Sequence, residues 1–272
     1  MANKKFKVML TFDVDAETLW TAPDPLNAKG NENRPVVLSQ GYYGAEVAIP
    51  RFLNLLDKYE IKSTFFIPGE AVEKHPVIVR KIAERGHEVG NHGYSHICPC
   101  EFRTKQEEVD EYVKTSEAIK KVTGKNPVGF RAPSWEFSLN TLEILQDMEF
   151  FYDSTMMGSD KISRLEVFGR KSNIVEIPIN WTLDDAPFWL LSGYTWGAPM
   201  PAPSTAYEIW AEEFQYLYEE SFDNTFTLTC HPQISGRPAR IRMYERFIQF
   251  IKKHDDIEFM RCIDAAEDYK SF

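Results

Sequence analysis

Phe6-Lys7-Val8-Met9-Leu10-Thr11-Phe12-Asp13-Val14-Asp15 is the stretch that decides the fold. Its apolar run has the length of a buried strand, and it stops abruptly in two carboxylates, which places acidic groups at the strand's C-terminal tip. The same grammar recurs along the chain. A short strand after Gly86 delivers His92; Val128-Gly129-Phe130 ends in Arg131; Ile174-Val175-Glu176-Ile177-Pro178-Ile179 ends near Trp181; Phe226-Thr227-Leu228-Thr229-Cys230 ends in His231. Ser63-Thr64-Phe65-Phe66-Ile67, Phe150-Phe151-Tyr152 and Ile257-Glu258-Phe259-Met260 read as further strands. A solvated surface would not set its polar residues so regularly. In a parallel α/β barrel, the C-terminal face of the strands is where active sites are built. The expectation is therefore an α/β chain, residues 1–272 forming one distorted (β/α) barrel domain of roughly seven to eight parallel strands.

Amphipathic segments alternate with these strands. Pro50 stands near the start of a helix with Phe52, Leu53, Leu56 and Tyr59 on one face, and Pro76 opens a helix that Gly86 closes. Thr104 and Glu107 form a capping box for a helix whose expected buried face is Val109, Val113, Ile119 and Val122, ended by Gly124. A helix spans about Thr141 to Met148. Ser204 reads as the N-cap of a helix carrying Tyr207, Trp210, Phe214 and Leu217, and another helix runs from about Ala239 to Lys253. Between Ala16 and Gly44, Pro23, Pro25, Gly30, Pro35 and Gly41 predict a long irregular loop.

The 31 Lys and Arg residues are scattered and the formal net charge is -10, which argues against nucleic acid or an anionic membrane as partner. No signal-peptide pattern precedes the first strand, so the expected location is the cytoplasm. Cys98, Cys100, Cys230 and Cys262 show no framework spacing and are expected as reduced thiols. Apolar residues in the long loop, Trp20 and Leu26 among them, would be costly as free surface, so a homo-oligomer, a dimer or tetramer, is expected.

His92 and His96 are four apart, and one helical turn or a tight loop would turn both imidazoles to the same side. With a carboxylate from Asp13-Val14-Asp15 they make a two-His, one-carboxylate set, which leaves coordination positions open for water and substrate. Thr11-Phe12-Asp13-Val14-Asp15, Asn91-His92-Gly93-Tyr94-Ser95-His96, Arg131-Ala132-Pro133-Ser134-Trp135 and Thr229-Cys230-His231-Pro232 together resemble motifs of the polysaccharide deacetylase superfamily, carbohydrate esterase family 4. The resemblance runs from the first strand to His231. It implies that Asp13 is the catalytic base, that Asp15, His92 and His96 hold one divalent metal, that Arg131 holds the base and that His231 is the general acid. It further implies that Pro133 and Trp135 wall the substrate groove. Asp184-Asp185 falls where the family has a fourth motif, and either residue could orient His231. The donor set suits zinc, with cobalt, nickel, manganese or iron as alternatives.

Val14 between the two aspartates departs from the pattern of polymer-acting members. It is more like the branch with cofactor-free allantoinases, cyclic imide hydrolases and peptidoglycan-deacetylase-like intracellular proteins. The expected activity is therefore metal-dependent carbon–nitrogen hydrolysis of a small cyclic amide, imide or ureide. Deacetylation of N-acetyl sugars is the alternative. Trp20, Trp135, Trp181, Asp184 and Asp185, with Tyr42, Tyr43, Phe188, Trp189 and Trp196, are the expected substrate-side residues. A non-haem iron oxygenase would share the ligand set but not a parallel fold. A non-catalytic carbohydrate-binding protein would have no use for an acid, a base and a metal together.

Overall fold

The computed structural model describes residues 5–23, 31–191 and 199–270. Strands β1 (Phe6–Asp13), β2 (Thr64–Ile67), β3 (Glu88–Asn91), β4 (Gly129–Phe130), β5 (Tyr152–Asp153), β6 (Ser163–Val167), β7 (Arg170–Glu176), β8 (Thr225–Cys230) and β9 (Ile257–Phe259) form one curled sheet. Its order is β6-β7-β5-β4-β3-β2-β1-β8, with β9 beside β1, and every pairing is parallel except β6 with β7. Asp184, downstream of β7, makes a parallel bridge to Thr229 of β8. That bridge stitches the two sides of the curl together at the C-terminal tips, as the α/β barrel expectation requires.

β1 and β8 are buried along almost their whole length, which is why they read as continuous apolar runs rather than alternating ones. Phe12 stacks on Phe65 with ring centroids 4.6 Å apart, and Phe52 and Tyr244 close around them. The helix Pro203–Glu220 buries Ala206, Trp210, Phe214 and Leu217 on this core. Its cap is Ala202 rather than Ser204, because Pro203 occupies the first turn, where its missing N–H goes unused.

Further expectations are corrected. The helix Lys105–Thr123 does begin in the Thr104–Glu107 capping box and end at left-handed Gly124, but its buried face is Glu108, Tyr112, Thr115, Ala118 and Ile119. Val113 lies exposed. The apolar period misled because buried Glu108 is satisfied by the hydroxyls of Tyr112, Ser138 and Thr141. The segment between Ala16 and Gly44 is not irregular throughout: Thr18–Thr21 and Pro35–Tyr43 are helical, the latter continuing through a widened turn, Gly44–Ala48, into the helix Ile49–Lys58. A Cβ on Gly41 would collide with the backbone of Ala16 and Glu17, so glycine is required for this packing. Trp20 is only 4% exposed, which removes it from the surface argument for an oligomer; Leu26 and Trp196 lie outside the described residues. Finally, Cys98 and Cys100 are joined as a disulfide across the turn at Pro99, their Cα atoms 5.4 Å apart. Cys230 and Cys262 are free and buried.

Among the described residues, pattern missed β6 and the first half of β7, and the helices Gly69–Lys74, Ala186–Trp189, Pro232–Ser235 and Cys262–Lys270. No described helix is long and apolar enough to cross a membrane.

β4 can be short because Gly129 lets Tyr152 of β5 lie across it, with the Tyr152 hydroxyl donating to Glu88 at 2.8 Å. A Cβ on Gly129 would fall inside the Tyr152 ring. Gly129→Ala should therefore destabilise the fold by ~1–3 kcal/mol or more. An unchanged midpoint in urea unfolding would show that the two strands can part without cost.

Candidate active site

Arg131, fully buried after β4, spends its guanidinium on three strand ends. Nε and Nη2 donate to Ser154, at 2.9 Å to its carbonyl and 2.8 Å to its hydroxyl. Nη1 donates to Thr11 Oγ1 at 3.0 Å, Thr229 Oγ1 at 3.2 Å and Asp13 Oδ1 at 2.8 Å. The other Asp13 oxygen accepts from Trp135 Nε1 at 3.1 Å. Burial alone would raise the Asp13 carboxyl, but the charges around it, Arg131 foremost, bring it down to about 2. Asp13 is thus ionised at neutral pH. Trp135 reaches it through two consecutive residues in the left-handed region, Ser134 at φ 56° and Trp135 at φ 52°. For non-glycine residues such backbone is strained and marks an imposed geometry.

His92 and His96 come from a tight loop rather than a helix. Gly93 at φ 66° and His96 at φ 59° turn the chain back on itself. Glu111 clamps this loop, accepting from the N–H groups of Tyr94 at 2.9 Å and Ser95 at 2.8 Å, while Asn91 Oδ1 accepts from the N–H of Gly93 at 3.0 Å. His92 Nδ1 donates to the carbonyl of Arg131 at 2.8 Å, which leaves Nε2 with its lone pair facing Asp15. Burial lowers the His92 imidazole to about 4, so it is neutral, as a metal ligand must be.

These residues fit a divalent metal. Asp15 Oδ1 is buried and accepts no hydrogen bond, yet lies 3.5 Å from His92 Nε2 and 3.5 Å from His96 Nε2. Two donors each about 2.1 Å from a tetrahedral zinc stand about 3.4 Å apart. The other oxygen, Asp15 Oδ2, accepts from Gln233 Nε2 at 3.2 Å. Burial raises the Asp15 carboxyl.

His231 follows β8 and points back at the same place, its Nε2 3.6 Å from Asp15 Oδ2. Its Nδ1 donates to Asp185 Oδ1 at 2.7 Å and lies 3.3 Å from Asp184 Oδ1, and its backbone N–H also donates to Asp185. Burial would lower the imidazole, but the two carboxylates outweigh it and hold His231 well above the ordinary range. Burial in turn raises Asp185 to about 6. Asp185 makes the closer contact with His231, while Asp184 caps Ala186 and carries the bridge to β8.

Asp13, Asp15, His92, His96, Arg131 and His231 are thus brought together. Pro133 lies against Gly93, and Trp135 stacks on Trp181 with centroids 4.5 Å apart, Trp181 remaining half exposed. Trp20 and Trp189 are buried to one side, Tyr42 is exposed and Tyr43 is held by Arg51. Sequence reasoning missed Gln233, Glu111 and Ser154. Only Gln233, two residues beyond His231, left a trace that proximity to a motif could have exposed.

Residues 1–152 match the family model described as polysaccharide deacetylase. A peptidoglycan deacetylase of Helicobacter pylori is 35% identical, the alignment covering 98% of this chain and 97% of the relative. The crystal structure of the "putative polysaccharide deacetylase from Mycobacterium smegmatis" matches with a TM-score of 0.90 at 33% identity, over 100% of this chain and 92% of that one. The structure of Puue allantoinase matches with a TM-score of 0.83 at 21% identity, over 100% and 92% of the two chains, a likeness of fold.

Metal analysis after dialysis checks the donor set. The wild type should retain about one zinc per chain, Asp13→Asn should retain it too, and His96→Ala should lose it. Stoichiometric metal in His96→Ala would exclude that imidazole as a ligand.

Proposed function

The chain belongs to the polysaccharide deacetylase family, a family of hydrolases acting on carbon–nitrogen bonds, and on that premise we propose that it opens the amide bond of a compact, non-polymeric cyclic amide, imide or ureide. The observation that carries this reading is depth. Asp13, Asp15 and His92 are at most 1% exposed, and His96 and His231 only 7%, behind the stacked Trp135 and Trp181. A small planar ligand can be enclosed there, whereas a glycan chain needs an open groove.

Asp15, His92 and His96 would hold a divalent ion, zinc by preference, which when bound supplies an electrophile for the amide oxygen and acidifies a water. Asp13 takes the proton of the attacking water. With a carboxyl held near 2 it is a modest base, so its contribution comes from position: Arg131 and Trp135 each fix one of its oxygens. His231 then donates a proton to the departing nitrogen, which cannot leave as an anion. Asp185 keeps the imidazole charged and turns Nε2 inward.

A second reading, deacetylation of an N-acetyl sugar, is favoured by the Helicobacter pylori relative and by the exposed indole of Trp181, a surface on which a sugar ring could stack. Hydrolysis assays of the zinc-loaded protein separate the two. Ring opening of hydantoin, dihydrouracil, succinimide or allantoin is expected. Acetate release from N-acetylglucosamine oligomers without any ring opening would give the second reading its place.

Two variants test the roles. Asp13→Asn and His231→Ala should each lose at least ~100-fold in kcat, the usual size of general acid–base catalysis; near-normal turnover would remove that residue from the mechanism. In Asp185→Asn, loss of a neighbouring negative charge disfavours the imidazolium, so the His231 proton leaves at lower pH. The alkaline limb of kcat/KM should move to lower pH. A limb that stays in place would assign it to another group.

A further inference from the structure

We propose that the substrate carries a carboxylate, received beside the reacting centre by Arg237 and Arg240 and aligned there by Gln233. This deepens the amide-hydrolase reading and rests on it for the reaction, though not for the binding. A cavity of about 120 Å³ is lined by Trp20, Trp189, Gln233, Arg237 and Arg240, among others. Gln233 links this cavity to Asp15, lining the one and donating to the other. A second, wider space of about 1010 Å³ shares Trp20, Gln40 and Arg237 with it, and Arg34 stands on its wall.

Gln233 is 4% exposed, and while Nε2 donates to Asp15, Oε1 has no hydrogen-bond partner. The amide cannot be turned round, because an oxygen facing the Asp15 carboxylate would be repelled. The backbone beneath it is held as well: a Cβ on Gly44 would lie 2.7 Å from Gln233 Cβ, so the two segments are already in close contact. A buried acceptor left open costs free energy unless something fills it. The N–H of an amide or ureide is the complementary group.

The arginines add charge to the same wall. Arg237 lies 3.7 Å over the Tyr43 ring, and its guanidinium makes no hydrogen bond or ion pair with the described residues. Arg240 lies 4.7 Å over Trp189, Nη1 donates to the carbonyl of Ile234 at 2.7 Å and Nη2 to Met200 Sδ at 3.7 Å, while the Asp185 carboxylate acts on it through its charge without a direct ion pair. The helix Pro238–Ile251 starts between them with no acidic residue in its first turn, so its N-terminal partial charge is also positive. Two guanidiniums thus stand on one wall of the same cavity. Stacked guanidiniums present their donor edge to a carboxylate, the group they bind bidentately.

Calorimetric titration of the zinc-loaded full chain tests this with two pairs of probes: hydantoin-5-acetic acid against hydantoin, and N-acetylmuramic acid against N-acetylglucosamine. In at least one pair the carboxylate-bearing member should bind at least about tenfold tighter. Arg237→Gln should abolish that preference and Arg237→Lys should keep part of it, whereas Gln233→Met should weaken both members alike, since the N–H is common to both. Equal binding within both pairs, or a preference intact in Arg237→Gln and Arg240→Gln, overturns the carboxylate subsite. A preference without ring opening of either hydantoin upholds the subsite and removes the cyclic-amide reading instead. Hydrolysis of the neutral probes without a preference does the reverse.

Discussion

The buried pair of Arg131 and Asp13 is the constraint on which the rest of the structure depends. A guanidinium taken wholly out of water costs several kcal/mol unless its donors are met, and removing one partner of such a pair typically costs about 3–5 kcal/mol. Here the partners come from β1 through Thr11 and Asp13, from β8 through Thr229, and from the turn after β5 through Ser154. Phe66 of β2 supplies its ring face at 4.3 Å. The charge is satisfied only when four strands end at the same height. The geometry of the candidate site is therefore a by-product of neutralising one cation, and the strand register and the position of the base are set together.

Much of this was legible because the signals are local. A parallel strand covered on both faces must be apolar throughout, so β1 and β8 announce themselves, and a polar residue directly after such a run stands at the tip. That is how Asp13, Asp15, His92, Arg131 and His231 could be located before any contact between them was known. The Thr104–Glu107 capping box and left-handed Gly124 were equally plain, since each is a short-range backbone device.

What was not legible depends on pairing across long sequence distances. Glu108 is a core residue only because the hydroxyl of Tyr112 on its own helix is joined by those of Ser138 and Thr141, about thirty residues further on, at the start of the helix Thr141–Asp147. Trp20 looked like exposed surface because nothing in its own segment shows that Leu191 accepts its indole N–H at 3.4 Å. The proline and glycine content between Ala16 and Gly44 suggested an irregular loop, yet Pro35 serves as a helix start and Gly41 as a point of backbone contact. The Cys98–Cys100 link was missed for another reason: composition describes the chain as a whole, and a two-residue separation is decided by the turn between the thiols.

Two of the three imidazoles around Asp15, those of His92 and His231, show how one residue type is divided between two tasks. His92 and His231 are both buried, and in each burial disfavours the charged ring. The difference lies behind the ring. His92 Nδ1 donates to a neutral backbone carbonyl, which fixes the tautomer without rewarding a second proton, and the ring falls to about 4. His231 Nδ1 donates to a carboxylate with a second one close by, which makes the doubly protonated ring the favoured state. A neutral ring offers a lone pair to a cation; a charged ring has none to offer but has a proton to give. On the proposed assignment, then, what separates ligand from acid is the partner of the far nitrogen. Exchanging Asp185 for a carbonyl-bearing neighbour would move His231 toward the character of His92, and Asp15 stands within 3.6 Å of both rings to receive either kind.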